Sequence, residues 1–317
     1  MAALVKGLLY LATILLLGAG VTGRFVLPAL PDAALTRRLR WGALVGAAVL
    51  IIASALDVLL TLQGILGFVD APLVQSYLAN TRHGRAVLVR LVLVVAATLL
   101  TLRLTSRQAA DEEAVTHYKG ARLATDCLFV LAGVALLGTF SWTSHAAAMG
   151  GTPPLLADLI HFAAAGAWAG PLVFLALHPN WAEHRPALTA AFGRVSRLGM
   201  ASVLALFATG TYTALIHMQD PARFVASPYG LSLGAKLVAV LAIVTIAALN
   251  RYIFLPRFLR GGAAAGLRRA VRWEAGLLVV ALLLTGALTT SALPHDAGPR
   301  PSAIENLGSF LRFLTPR

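Results

Sequence analysis

The chain's 317 residues are 58% hydrophobic and only 12% charged, yet the basic residues outnumber the acidic ones and give a formal net charge of +13. A soluble domain carries about twice that charged fraction, so the composition excludes an ordinary water-soluble globule. The basic residues are scattered between long apolar runs instead of forming stripes or a recognisable module, which argues against nucleic-acid binding.

Crossing about 30 Å of hydrocarbon takes about 20 apolar residues in a helix. Eight such runs follow one another, over residues 5–27, 41–68, 85–104, 122–144, 155–177, 195–218, 231–255 and 270–293. They lack the polar faces of soluble helices, and they are too long and too rich in Leu and Ala for barrel strands. The chain therefore reads as all-α, a polytopic integral membrane bundle of eight transmembrane helices. The first run has one lysine, Lys6, as a secretory signal would. It continues to Leu27 without a small-x-small cleavage site and a polar mature domain, so it reads as the first helix. The single cysteine, Cys127, excludes an intrachain disulfide and a multi-cysteine metal cluster, and reads as buried packing, with a metal ligand on the cytoplasmic exit side as the alternative.

Eight spans put both termini on one side. Positive charge gathers in the odd connections: Arg37, Arg38 and Arg40 in the first, Arg107 and Lys119 in the third, Arg185 and Arg194 in the fifth, and the arginines from Arg251 to Arg272 in the seventh. The fourth connection has none. The positive-inside rule then makes the odd connections cytoplasmic and both termini periplasmic. Residues 1–317 read as one membrane domain: helices one to three and a cytoplasmic loop in 1–120, helices four to eight in 121–293, and a short outer tail in 294–317. Two segments echo each other, Arg24-Phe-Val-Leu-Pro28 and Arg251-Tyr-Ile-Phe-Leu-Pro256. Both fall at the cytoplasmic boundary, where Arg and aromatic rings anchor at headgroups and proline stops a helix.

On this topology five of the eight histidines share the outer side. His83 lies in the second connection, His145 ends the fourth run, His161 begins the fifth, His217 ends the sixth and His295 follows the eighth. Met149 and Met218 join them. Imidazole is the commonest metal ligand, and thioether sulfur favours Cu(I). For His83, His217 and His295 the alternative of a histidine resting among headgroups stays open.

The stretch from Ser144 to His161 is the most informative. Thr152 reads as an N-cap with Pro153 and Pro154 in the first turn, so a helix from Leu155 carries His161 about 9 Å along its axis. Asp158 and His161 share a face that Ala165 and Trp168 extend. An unpaired aspartate at that depth costs a few kcal/mol, so it should face the bundle interior. There it either fixes the imidazole and balances a metal's charge or simply hydrogen-bonds to His161. No lysine or arginine near this connection repels an incoming cation. Among other polar groups inside the runs, Asp57 and Arg90 read as an ion pair on adjacent helices and Lys236 as snorkelling. Asp126 and Glu274 are functional candidates by their depth. Gly42-xxx-Gly46 and Gly166-xxx-Gly170 permit close helix contacts.

These residues resemble a known family. Ser144-His-Ala-Ala-Ala148 followed by residues 156–170 (LADLIHFAAAGAWAG) is similar to two segments of the copper resistance protein D (CopD) family. The runs 192–215, 227–251 and 255–258 continue that pattern in the same order. His145, His161 and Trp168 match it directly, and Tyr229, Lys236, Asn250 and Arg251 match its later segments. The first run lacks a histidine that some relatives have, and methionine is scarce. The resemblance implies an inner-membrane protein of copper homeostasis that receives copper from a separate periplasmic CopC-like carrier and moves it inward. Of the metal candidates, His145 and His161 match the family pattern, while Asp158, His217, Met149, Met218, His83 and His295 come from the topology and spacing above; the copper is Cu(I) or Cu(II). With no ATP-binding loop or phosphorylation domain it does not read as a pump, and transport would follow a gradient or an ion. The expectation is a membrane transporter, not an enzyme. Two alternatives stand beside it: a haem-binding redox protein using His161 and His217, and a copper-binding assembly factor without transport.

Overall fold

The computed structural model describes residues 1–27, 33–106, 119–144, 147, 150–178, 181, 185–217 and 228–290. No strand occurs among them. The helices are α1 (Ala2–Val21), α2 (Ala33–Leu66), α3 (Ala71–Asn80), α4 (Arg82–Ser106), α5 (Lys119–Ser141), α6 (Thr152–Ala176), α7 (Arg185–His217), α8 (Pro228–Leu249), α9 (Leu255–Leu259) and α10 (Ala264–Thr290). Eight spans are long and apolar enough to cross a membrane, and they coincide with the eight expected runs. The protein is a polytopic helical membrane bundle.

The differences lie at the ends. The second and sixth spans begin at Ala33 and Arg185, eight and ten residues before their apolar runs at 41 and 195. Arg and Ala favour helix as strongly as Leu does, so the helices continue into the polar layer, where hydropathy no longer marks them. α3 was expected as plain connection. Its start is set by Asp70, whose carboxylate accepts from the Leu73 N–H at 2.8 Å, with proline in the first turn. Tyr77 then anchors α3 on Val58, Leu62, Leu66 and Val87.

α1 is the hub, packing on α2, α4, α6 and α10. Glycine lets the backbones meet. A β-carbon on Gly170 of α6 would lie 2.6 Å from the Gly18 Cα of α1, and one on Gly46 of α2 would lie 2.8 Å from the Ala12 carbonyl. The close contacts expected of the two glycine pairs are therefore made against backbone at Gly46 and Gly170 and against the Phe174 ring at Gly42, whereas Gly166 meets only Ile14 at an ordinary 3.7 Å. Arg24, just beyond the C-terminal end of α1, forms a two-pronged pair with Asp126 of α5, at 2.8 and 2.6 Å. Asp126→Ala leaves that guanidinium unbalanced and is expected to cost up to about 3 kcal/mol, read as a lower melting temperature in detergent. Cys127 beside it is exposed on the outer surface of α5. The expectation of a buried packing cysteine is thus corrected, because Asp126 is the residue that turns inward.

The echoing segments share one backbone device. Thr22–Val26 and Asn250–Phe254 are both π-helical. In each, the residue before the proline donates five residues back, Leu27 to the Thr22 carbonyl and Leu255 to the Asn250 carbonyl. Pro256 does not stop its helix as expected. It sits in the first turn of α9, and the seventh span runs on to Leu259. α7 and α8 are peripheral: only 11% and 6% of their most apolar stretches are buried, against 39–56% in the other six spans. α7 leans on α6 and α8 on α10, and the two barely touch.

Candidate metal site

α6 begins at Thr152 with Gly151 as its cap, at φ 83°, and prolines in its first turn. Thr152 is therefore inside the helix and not its cap, because glycine reaches that positive φ without strain. His161 lies nine residues in, about 13 Å along the axis, and is half-buried, as is Asp158. The hydrogen-bond partner of His161 is Thr209 of α7, with Nδ1 2.9 Å from Oγ1.

That contact fixes the chemistry of the imidazole. The Thr209 hydroxyl has one proton, which it donates to the Ala205 carbonyl at 2.6 Å. Its oxygen must then accept from His161, so Nδ1 carries the hydrogen and Nε2 of the neutral ring keeps a bare lone pair. This is the arrangement in which a second group orients a metal-binding histidine. Gly210 lies against the ring, where an added β-carbon would rest in ordinary van der Waals contact with His161 Cε1 at 3.6 Å. Lys236 of α8 is half-buried and interacts electrostatically with both His161 and Asp158. The expected freedom from positive charge is thereby corrected: the neighbouring connection has none, but helix packing brings a lysine to the site. Thr209→Val removes the orienting acceptor and is expected to weaken metal binding by roughly 10–100-fold, measured by titration of the purified protein with a competing chelator.

Beside the site, the rings of Tyr10, Phe140 and Phe162 pack with centroids 5.1–5.7 Å apart. The Arg90 guanidinium lies 3.9 Å over Phe140 and donates to the hydroxyl and carbonyl of Thr139. The expected Asp57–Arg90 ion pair does not form. Asp57 instead accepts from Lys6 Nζ at 2.7 Å and pairs with His83 Nε2 at 3.0 Å. The reason is topological: α1 packs against both α2 and α4 and brings Lys6 to the carboxylate.

His83 begins α4 and both of its nitrogens are engaged. Nε2 faces Asp57 and Nδ1 lies 2.7 Å from the Tyr77 hydroxyl. Burial and the negative charge of Asp57 push the Tyr77 phenol up to about 12, so it stays a donor and occupies the Nδ1 lone pair. His83 thus clamps α3 to α2. His145, Met149, Met218 and His295 lie outside the described residues, and of His217 only the backbone is described. Among the described residues no three His, Cys, Asp or Glu side chains converge to hold a metal.

A second polar centre, which the sequence showed only as separate residues, lies further along α6. Glu274 of α10 is 3% exposed and accepts from Trp168 Nε1 at 3.1 Å and from Asn250 Nδ2 at 2.6 Å. It lines a cleft of about 150 Å³ between α7 and α8.

Intramembrane histidine, lysine and carboxylates facing the interior of an eight-span bundle define the class: a polytopic membrane protein with ionisable groups along its core. Residues 1–155 match the family described as Copper resistance protein D-like, N-terminal domain, and residues 189–288 match Copper resistance protein D. The chain belongs to the copper resistance protein D family. The likeness reaches further toward the N-terminus than the motifs between Ser144 and residue 258. The chain is similar to Copper resistance protein D of Pseudomonas syringae pv. tomato, 30% identical over 185 residues, covering 53% of this chain and 59% of that relative's length. No solved structure matches.

Proposed function

We propose that this protein carries copper across the bacterial inner membrane, taking it up from the periplasmic side. Family membership supports copper as the cargo. The observation that carries the reading is His161, held by Thr209 with its Nε2 lone pair free inside the bundle. In this reading His161 and His145 are the principal ligands, with Asp158 balancing the metal's charge. Met149, Met218, His217 and His295 assist at the mouth, and His83 joins only on releasing Tyr77 or Asp57. A neutral imidazole is required, so capture weakens in acid. A separate CopC-like carrier delivers the copper, and the positive odd connections face the cytoplasm.

The test is the metal content and optical spectrum of the purified protein after growth with copper. Bound copper that falls in His145→Ala and His161→Ala is expected. A Soret band with no copper contradicts the reading and favours a haem protein. Copper bound without any flux in vesicles favours an assembly factor.

A further inference from the structure

We propose that Glu274 is a reversible proton-binding site, with Asn250 as its switching partner, opening on the cleft between α7 and α8. Three observations meet at this point. The carboxylate is buried in a membrane span, and both of its oxygens accept from neutral donors only, the Trp168 indole and the Asn250 amide. Nothing there cancels its charge, and an uncancelled charge at this depth is costly. The Asn250 side-chain oxygen Oδ1, itself buried, has no hydrogen-bond partner. Asn250 also opens the π-helical segment Asn250–Phe254, a backbone irregularity that recurs at functional sites.

The orphaned oxygen is what a proton uses. An amide presents a donor and an acceptor on one planar group. With Glu274 ionised, Nδ2–H donates to the carboxylate, as observed. When Glu274 takes up one proton, its O–H becomes a donor, and turning the Asn250 amide over sets Oδ1 to accept it. Release of the proton reverses the turn. Both charge states are hydrogen-bonded, and no helix has to move.

The cleft supplies the route. Glu274, Asn250, Ser196 and Arg251 line it among apolar side chains. Arg251 is the other charged group in the lining, and its guanidinium is turned to the Ser196 hydroxyl and Tyr252. Tyr252 is the remaining titratable group there. α6 and α9 contribute no charged group to the lining, and Lys6 and Lys236 belong to the clusters around Asp57 and His161. Trp168 lies seven residues beyond His161 on α6, about 10 Å along the helix. One helix therefore touches the candidate metal ligand and the carboxylate. A role for this proton in driving metal movement rests on the transport reading, whereas the site itself does not.

The test has two arms. Infrared difference spectra of the full chain in nanodiscs, between alkaline and acid pH, are expected to show a carboxylic C=O band. That band vanishes in Glu274→Gln, which keeps the shape and hydrogen bonds, and moves in Asn250→Leu. An unchanged band in both variants overturns the proposal. In proteoliposomes, an imposed pH gradient is expected to change copper entry severalfold in wild type and not at all in Glu274→Gln. If wild type moves no copper while the band titrates, the transport reading fails and the proton site stands. If copper moves but no band belongs to Glu274, the proton site fails and the transport reading stands.

Discussion

Replacing His161 with alanine is expected to abolish copper accumulation in cells that depend on this protein. Loss of Thr209, which only orients the ring, costs roughly 10–100-fold in metal affinity, and loss of the ring itself costs more. The effect is separable from misfolding. His161→Asn keeps a donor toward Thr209 but has no imidazole lone pair, so it should be as well folded as wild type and as inactive as His161→Ala. Thr209→Val should fall between these variants and wild type. Accumulation unchanged in His161→Ala would remove His161 from the copper path.

The second large effect concerns the fold. A β-carbon on Gly286 of α10 would lie 2.4 Å from the Ala3 carbonyl oxygen and 2.4 Å from the Gly7 nitrogen of α1. Both are backbone atoms, and neither moves without its helix. Gly286→Ala must push α1 and α10 apart at the hub, at an expected cost of about 3 kcal/mol or more. The control lies on the same helix. Gly276 is exposed with nothing within 4 Å of an added β-carbon, and alanine is favoured over glycine there by about 1 kcal/mol. Thermal unfolding in detergent should show a large loss for Gly286→Ala and no loss for Gly276→Ala.

Hydropathy located all eight spans, because lipid demands length and apolarity that no other segment of the chain supplies. It did not locate α3, whose ten residues are too short and mixed to stand out and whose signal is a capping aspartate with a proline. It also assigned the wrong partner to Asp57. Neighbouring helices in sequence suggested Arg90, whereas Lys6 reaches the carboxylate because α1 sits at the centre. The candidate site divides in the same way. His161 and Asp158 were legible from their spacing on one helix face. The free Nε2 was not, since it depends on Thr209, 48 residues away, and on that hydroxyl's own bond to Ala205. Glu274 likewise takes its donors from positions 106 and 24 residues distant. Long-range contacts between helices leave no periodic trace in sequence.

Copper entry into proteoliposomes tests the central claim most directly. Wild-type protein of known orientation is expected to admit copper offered on the periplasmic face, and vesicles carrying His161→Ala are expected to match protein-free vesicles. Equal entry with wild type and His161→Ala, or no entry with either, would contradict a copper path through this histidine.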